Sequence, residues 1–328
     1  MKTFEILLTA ESRYIVFSDC HRGNGSAGDE FAANSMVYKF ALAYYLREGF
    51  SYIELGDAEE LWENGSFAPI YITHTSVYDL LRKFHDPDPA RTRYIKIWGN
   101  HDLDWQEDAA PLRTVFPGIE VYEAALLRAG EGEDILFIHG HQADPVCYGW
   151  RARISRWMVR NLWRRVQNYN IVDPTTRAAE NPGRCNEIDA KLMSIIRDRA
   201  LFSGPLENRA QSLITENRAQ SLIIVAGHTH RPVFAGLSLT ERRFVESGIG
   251  PPGIARKKGP EEIYYNAGAC VLPRCITGIE ITAQQNAGGP IRPHFSLVKW
   301  AIQPAAVATP SLVIARSVLE GAAIPKKS

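Results

Sequence analysis

Aspartate, asparagine and histidine recur in this chain just past short apolar runs, where a buried strand would hand a polar side chain to a site. Tyr14-Ile15-Val16-Phe17 leads into Asp19-x-His21, and Tyr52-Ile53-Glu54-Leu55 leads into Gly56-Asp57. Tyr94-Ile95-Lys96-Ile97-Trp98 leads into Gly99-Asn100-His101-Asp102. Ile135-Leu136-Phe137-Ile138 leads into His139-Gly140-His141, and Leu222-Ile223-Ile224-Val225 leads into Gly227-His228-Thr229-His230. Five such coincidences in order predict strands that deliver Asp, Asn and His to one rim. Carboxylate, amide oxygen and imidazole are the ligands of divalent ions that activate water.

The donor types suggest how such a centre would work. Asp19 and His21, two positions apart past a strand end, can turn toward one ion. Asp57 has two carboxylate oxygens and can bridge a pair of ions. Asn100 adds an oxygen without charge, and His139, His228 and His230 add nitrogens. Two aspartates against two divalent ions leave positive charge in excess, which suits a phosphate substrate. Taken singly, Asp-x-His is common and Gly-Asp after a strand is often a turn. Gly-His-Thr-His after an apolar strand is the sharpest signal, because paired imidazoles have little structural purpose there.

The elements that position these residues alternate. Ala32 to Glu48 carries Met36, Val37, Phe40, Ala41 and Tyr44 at helical spacing and stops at Gly49. Pro69 to Phe84 reads as a second helix, ended by Asp86-Pro87-Asp88-Pro89. Strand and helix in turn predict an α/β fold with parallel strands at its centre. Ligands gather at the carboxyl ends of such strands, where the motifs fall. Tyr264-Tyr265, Ile276 to Ile281 and Phe295 to Ile302 read as later strands.

Together, Asp19-x-His21, Gly56-Asp57, Gly99-Asn100-His101-Asp102, His139 and Gly227-His228-Thr229-His230 resemble the calcineurin-like metallophosphoesterase superfamily, with Asn266-Ala267-Gly268 fitting its later strand. The resemblance implies two packed mixed β-sheets flanked by helices. It implies that Asp19, His21, Asp57 and His230 hold one metal, and that Asp57, Asn100, His139 and His228 hold the other. Manganese is the first expectation, with iron, zinc or cobalt as alternatives. His101, beside a ligand, is the expected general acid, protonating the leaving oxygen as histidine does near neutral pH. Glu60 stands where the family often has an acid that orients this histidine; otherwise it is a solvated carboxylate at a helix start. Asp102 reads either as a catalytic partner or as a support for its turn. Arg22 and Asn24 either touch substrate phosphate or belong to a solvated loop. His141 either lines the pocket or bonds to ligand groups.

Residues 145–205, between the fourth and fifth motifs, read as a helical lid inserted into a catalytic domain made of 1–144 and 206–328. No acid lies from Pro145 to Val172, while Arg156, Arg160 and Arg164 form a row roughly opposite Ile154, Met158, Leu162 and Val166. Trp150, Trp157 and Trp163 add amphipathic rings. A basic helix over 150–166 either lies on an anionic membrane or packs its apolar row on the domain. Gly56-Asp57-Ala58-Glu59-Glu60 and His139-Gly140-His141 with Cys147-Tyr148 resemble the UDP-2,3-diacylglucosamine pyrophosphatase branch, which implies a lipid-linked or nucleotide-sugar substrate. That branch typically has Arg where His101 stands and Asp where His141 stands. The segment ENRAQSLI occurs at Glu207–Ile214 and again at Glu216–Ile223, and reads as a local duplication that lengthens a connection.

Composition narrows the partners. Lys plus Arg and Asp plus Glu both total 37, so nucleic acid is not the expected partner. The five cysteines form no dense framework, which predicts a reducing compartment. No apolar run approaches the roughly 20 residues of a membrane span. The expected location is the cytoplasm, peripheral at the membrane if 150–166 binds lipid. The expected reaction is hydrolysis of a phosphoester or pyrophosphate. The alternatives are a phosphoprotein phosphatase, a nucleotide or nucleic-acid phosphodiesterase, or a scaffold that has lost catalysis.

Overall fold

The computed structural model describes residues 2–130, 133–144, 182–197, 222–234, 263–272, 274–285, 289–302 and 312–318. All five apolar runs form strands: β2 (Arg13–Phe17), β3 (Ser51–Leu55), β4 (Tyr94–Ile97), β7 (Asp134–Ile138) and β8 (Leu222–Ala226). They are apolar almost throughout because both of their faces are covered. In β2, Val16 faces the cluster shared with Ile53, Ile97, Phe137 and Val225, while Ile15 and Phe17 join the cluster on the other side with Val37, Tyr38 and Leu81.

With β1 (Thr3–Leu7), β5 (Val121–Tyr122), β6 (Ala124–Arg128), β9 (Pro232–Val233), β10 (Tyr264–Ala267), β11 (Cys275–Gln285), β12 (Ile291–Ile302) and β13 (Leu312–Val318), the strands build two mixed sheets. One sheet has six strands in the order β1-β6-β7-β8-β10-β9, and the other has seven in the order β13-β12-β11-β2-β3-β4-β5. Strands β2, β3, β4 and β5 are mutually parallel, while β11 lies antiparallel to β2. In the other sheet β7 and β8 are parallel. The expected pair of packed mixed sheets is therefore what the chain forms.

Helices α1 (Ser35–Arg47), α3 (Phe67–Thr73) and α4 (Thr75–Leu81) cover the outer face of the seven-stranded sheet. The helix predicted from Ala32 starts as a 3-10 turn over Glu30–Asn34, capped by the Asp29 side chain. The single helix predicted over Pro69 to Phe84 is two helices that meet at His74. Thr73 and Thr75 each bond back to a carbonyl four residues earlier, and the His74 Nε2 contacts Asp29 Oδ2 at 2.8 Å, which favours a break there. Short helices α2 (Leu61–Asn64), α5 (Asp104–Glu107) and α6 (Ala110–Arg113) follow the second and third motifs. Helix α7 (Pro182–Arg197) lies within the span expected to be a lid, and packs Ile188 and Leu192 against Leu136, Ile138 and Ile224 of the six-stranded sheet. The rest of that span, including 150–166 and Cys147, lies outside the described residues, as does nearly all of the ENRAQSLI duplication.

Candidate metal centre

Every motif sits on the turn that follows its strand. Strands β2, β3 and β4 contribute three of these turns from one sheet, and β7 and β8 contribute two from the other. Six non-glycine residues have positive φ among the described residues: Asp19, His21, Asp57, His228, His230 and Arg274. All but Arg274 are predicted ligands. The left-handed region costs an ordinary residue of order 1–3 kcal/mol and persists only where its surroundings enforce it. Here it ends the extended strand and turns the chain at the donors themselves. Close approach explains two motif glycines. A Cβ on Gly99 would collide with Asp57 Oδ1, and one on Gly227 would collide with Ser18 Oγ.

Three groups of buried donors result among the described residues; one is His21, Glu60 and His101, and the other two consist of predicted ligands alone. In the first of these two, Asp19, His21 and His230 are mutually within 4.8 Å, and in the second Asp57, His139 and His228 are likewise within 4.8 Å. The His230 Nε2 lies 3.1 Å from Asp19 Oδ1 and from His21 Nε2. Asp57 links the two groups, its Oδ2 lying 3.1 Å from His139 Nε2 and 3.9 Å from His21 Nε2. Its Oδ1 accepts the backbone N–H of His101 at 2.8 Å. Asn100 is buried on the same turn. Asp19 Oδ1, Asn100 Oδ1 and His139 Nε2 are buried without a hydrogen-bond partner among the described residues. Buried polar atoms are almost always bonded, so open Asp, Asn and His atoms, of which Asp19 Oδ1 and His139 Nε2 lie 4.0 Å apart, fit a cation as the missing partner.

The surrounding bonds orient these donors. The His139 Nδ1 donates to Leu55 O at 2.9 Å, leaving Nε2 toward Asp57. Glu60 is not a solvated carboxylate. It is buried, with Oε2 at 2.8 Å from His21 Nδ1 and Oε1 at 2.9 Å from His101 Nδ1. The His101 ring also stacks on Trp62 at 4.3 Å. Asn266 of β10 donates to Gly227 O at 2.7 Å and to Thr229 Oγ1 at 3.2 Å, which holds the last motif turn.

Electrostatics follow from burial and pairing. Burial would raise the Asp19 and Glu60 carboxyls, but imidazoles outweigh it and bring each down to about 2: His230 and His139 beside Asp19, His101 and His21 beside Glu60. Burial would lower His139, yet Asp57 and Asp19 hold it up at about 9. Glu60 and Asp57 likewise raise His101 against burial. Burial, with His139 and His228 alongside, drives His141 well down. Clustered imidazoles and carboxylates of this kind take up a metal in exchange for protons.

Three predicted residues have other duties. Arg22 does not face a phosphate: its guanidinium is fully buried, donating to Glu54 Oε1 at 2.8 Å and Glu59 Oε1 at 2.6 Å. Asn24 is exposed, and its Oδ1 accepts from Ser26 N in a local turn. Asp102 accepts backbone N–H groups of Gly99 at 2.6 Å and Ala58 at 2.9 Å, so it ties two motif turns together rather than meeting a substrate. His141 is buried beside His139 and His228, with ring centroids 5.5 and 6.4 Å away. Sequence reasoning missed Asp144, buried with Oδ2 at 3.1 Å from His228 Nε2. Its only sequence signal was a carboxylate shortly after His139-Gly140-His141.

Comparison with known protein families finds no matching family, and comparison with curated proteins finds no relative. Among solved structures, Vps29 of Chaetomium thermophilum is similar over 93% of this chain and 95% of that one, at 10% identity and a TM-score of 0.37. A likeness that weak carries no argument, so the fold rests on the sheet topology above. Among the described residues, no helix is long and apolar enough to cross a membrane.

Proposed function

We propose that this chain is a metal-dependent phosphoesterase with a dinuclear centre, a member of the calcineurin-like metallophosphoesterase superfamily. One observation carries the reading: two buried donor groups are linked by Asp57, and Asp19 Oδ1 and His139 Nε2 within them, with Asn100 Oδ1 on a neighbouring turn, are buried without a hydrogen-bond partner among the described residues. Asp19, His21, Asp57 and His230 would hold one ion, and Asp57, Asn100, His139 and His228 the other. When bound, such ions supply hydroxide from water near neutral pH and draw charge from phosphoryl oxygens. His101 protonates the leaving oxygen through Nε2 while Glu60 keeps hold of its Nδ1. Trp62, stacked on His101, fixes the plane of that ring.

The substrate class is a phosphate ester or pyrophosphate. A lipid-linked or nucleotide-sugar substrate, and peripheral membrane contact, depend on 150–166 and are the narrower form of the proposal. Hydrolysis of bis(p-nitrophenyl) phosphate and of p-nitrophenyl phosphate by chelator-stripped protein, with and without added Mn2+, tests the class. Turnover that appears on adding Mn2+ supports it. A chain that binds the ions but hydrolyses neither ester, nor any lipid-linked diphosphate, is a scaffold instead.

A further inference from the structure

Each donor histidine in the centre can give only one nitrogen to an ion, and the partner of the other nitrogen decides which. For His21 and His139 the tied nitrogen is Nδ1, held by Glu60 and by Leu55 O. For His228 it is Nε2, which lies 3.1 Å from Asp144 Oδ2. A neutral imidazole that donates Nε2–H to a carboxylate keeps its lone pair on Nδ1.

The fold takes trouble to place Asp144. Past His139, Gly140 has φ 111° and starts a 3-10 turn over His141–Ala143, with Asp144 N bonded to His141 O at 3.0 Å. That turn brings the chain back beside the β8 turn. Helix α7 then touches both: Lys191 Nζ donates to Ala143 O at 3.2 Å, and Cys185 Sγ lies 3.7 Å from Thr229 O. Asp144 and His228 are 84 positions apart, yet one helix clamps both of their turns.

We infer that Asp144 is a positioning residue of the centre: it holds His228 as the Nε2–H tautomer, so that Nδ1 is the atom offered to the ion shared with Asp57 and His139. This rests on the dinuclear reading above. A carboxylate behind a ligating histidine fixes the ring and raises its basicity, and losing such a partner costs 10–100-fold in metal affinity. The effect falls on one ion of the two, because His228 belongs to the donor group of Asp57 and His139 and not to that of Asp19, His21 and His230.

Two measurements test this. Long-range 15N–1H spectra of the ion-free wild-type chain at neutral pH report the His228 tautomer, with Nε2–H expected; the Nδ1–H tautomer overturns the inference. Mn2+ titration of ion-free wild type, Asp144→Ala and Asp144→Asn by calorimetry, with EPR of the exchange-coupled pair, gives the consequence. Wild type takes up two ions. In Asp144→Ala the affinity for one falls about 10–100-fold with the other unchanged, so half-loaded protein shows isolated Mn2+ in place of the coupled pair. Asp144→Asn stays much closer to wild type, because its amide oxygen still accepts from Nε2–H. Two ions bound normally by Asp144→Ala, or both weakened alike, defeat the role of Asp144 alone. A wild-type chain that takes up no ions defeats the centre itself and Asp144's role with it.

Discussion

Two clusters of buried charge lie side by side in this molecule, and they are built on opposite plans. Beneath the motif turns, Arg22, Glu54, Glu59 and Lys96 are fully buried and balanced in sign. Lys96 Nζ reaches Glu54 at 2.6 Å and Glu59 at 2.9 Å; Tyr94, Tyr78 and Trp105 add hydrogen bonds to the same carboxylates. All four of these carboxylate oxygens have partners. In the neighbouring cluster, Asp19 Oδ1, Asn100 Oδ1 and His139 Nε2 have none among the described residues, and the backbone is forced into the left-handed region at five donors. In the first cluster opposite charges meet and every carboxylate oxygen is bonded, with Arg22 Nε alone of its side-chain atoms left without a partner among the described residues. A cluster that serves a ligand leaves donors open and is held in place by its neighbours. The two are joined: Arg22 follows His21, Glu59 precedes Glu60, and Arg22 and Glu59 extend the pairing of β2 with β3.

The comparison breaks most visibly at Asp57. Asp57→Ala should abolish phosphoesterase turnover and metal uptake while the chain stays folded, measured by ester hydrolysis, calorimetry and circular dichroism. The opposite pattern is expected of the satisfied cluster. Glu59→Ala strands Lys96 and Arg22 without a full set of partners, and should cost about 3–5 kcal/mol in chemical denaturation. Equal loss of stability in the two variants would erase the distinction between the clusters.

His101→Ala should slow turnover by about 10²–10⁴-fold with metal content retained. Loss of metal in that variant would make His101 a ligand instead of the acid. The pH dependence has two parts. Glu60 raises His101, so Glu60→Gln lowers it, and the alkaline limb of the rate profile should move to lower pH. Burial opposes ionisation of Glu54, but Arg22 and Lys96 prevail and depress it. Its stabilising effect is therefore complete above the ordinary glutamate value of about 4.3 and is lost as pH falls through the depressed value. The part of the stability to denaturant that Glu54→Gln removes should be constant above about pH 4.3 and shrink on acidification below it. The smallest effect belongs to Asn24→Ala, which should leave turnover within about twofold, as expected of an exposed loop.

Much of this was legible in the chain because apolar strands and their polar ends are local patterns. The five strands, their parallel core and the convergence of Asp19, His21, Asp57, His139, His228 and His230 all follow from runs of fewer than ten residues. What escaped depends on partners distant in sequence. Arg22 follows His21 and looked available to a phosphate, but Glu54 of the next strand and Glu59 just past that strand take both ends of its guanidinium. Asp102 lies in the richest motif, yet the turn needs its carboxylate for backbone amides. Asp144 was invisible because its partner is 84 residues away. The left-handed backbone at five donors is only weakly marked in the sequence: aspartate and histidine enter that region more often than most residues, but still uncommonly.

Anomalous diffraction from a crystal grown with Mn2+ tests the central claim most directly. Two peaks are predicted within the rim of the five turns, one among Asp19, His21, Asp57 and His230, the other among Asp57, Asn100, His139 and His228, with Asp57 common to both. Peaks elsewhere, or none at this rim while the protein is saturated with Mn2+, would contradict it.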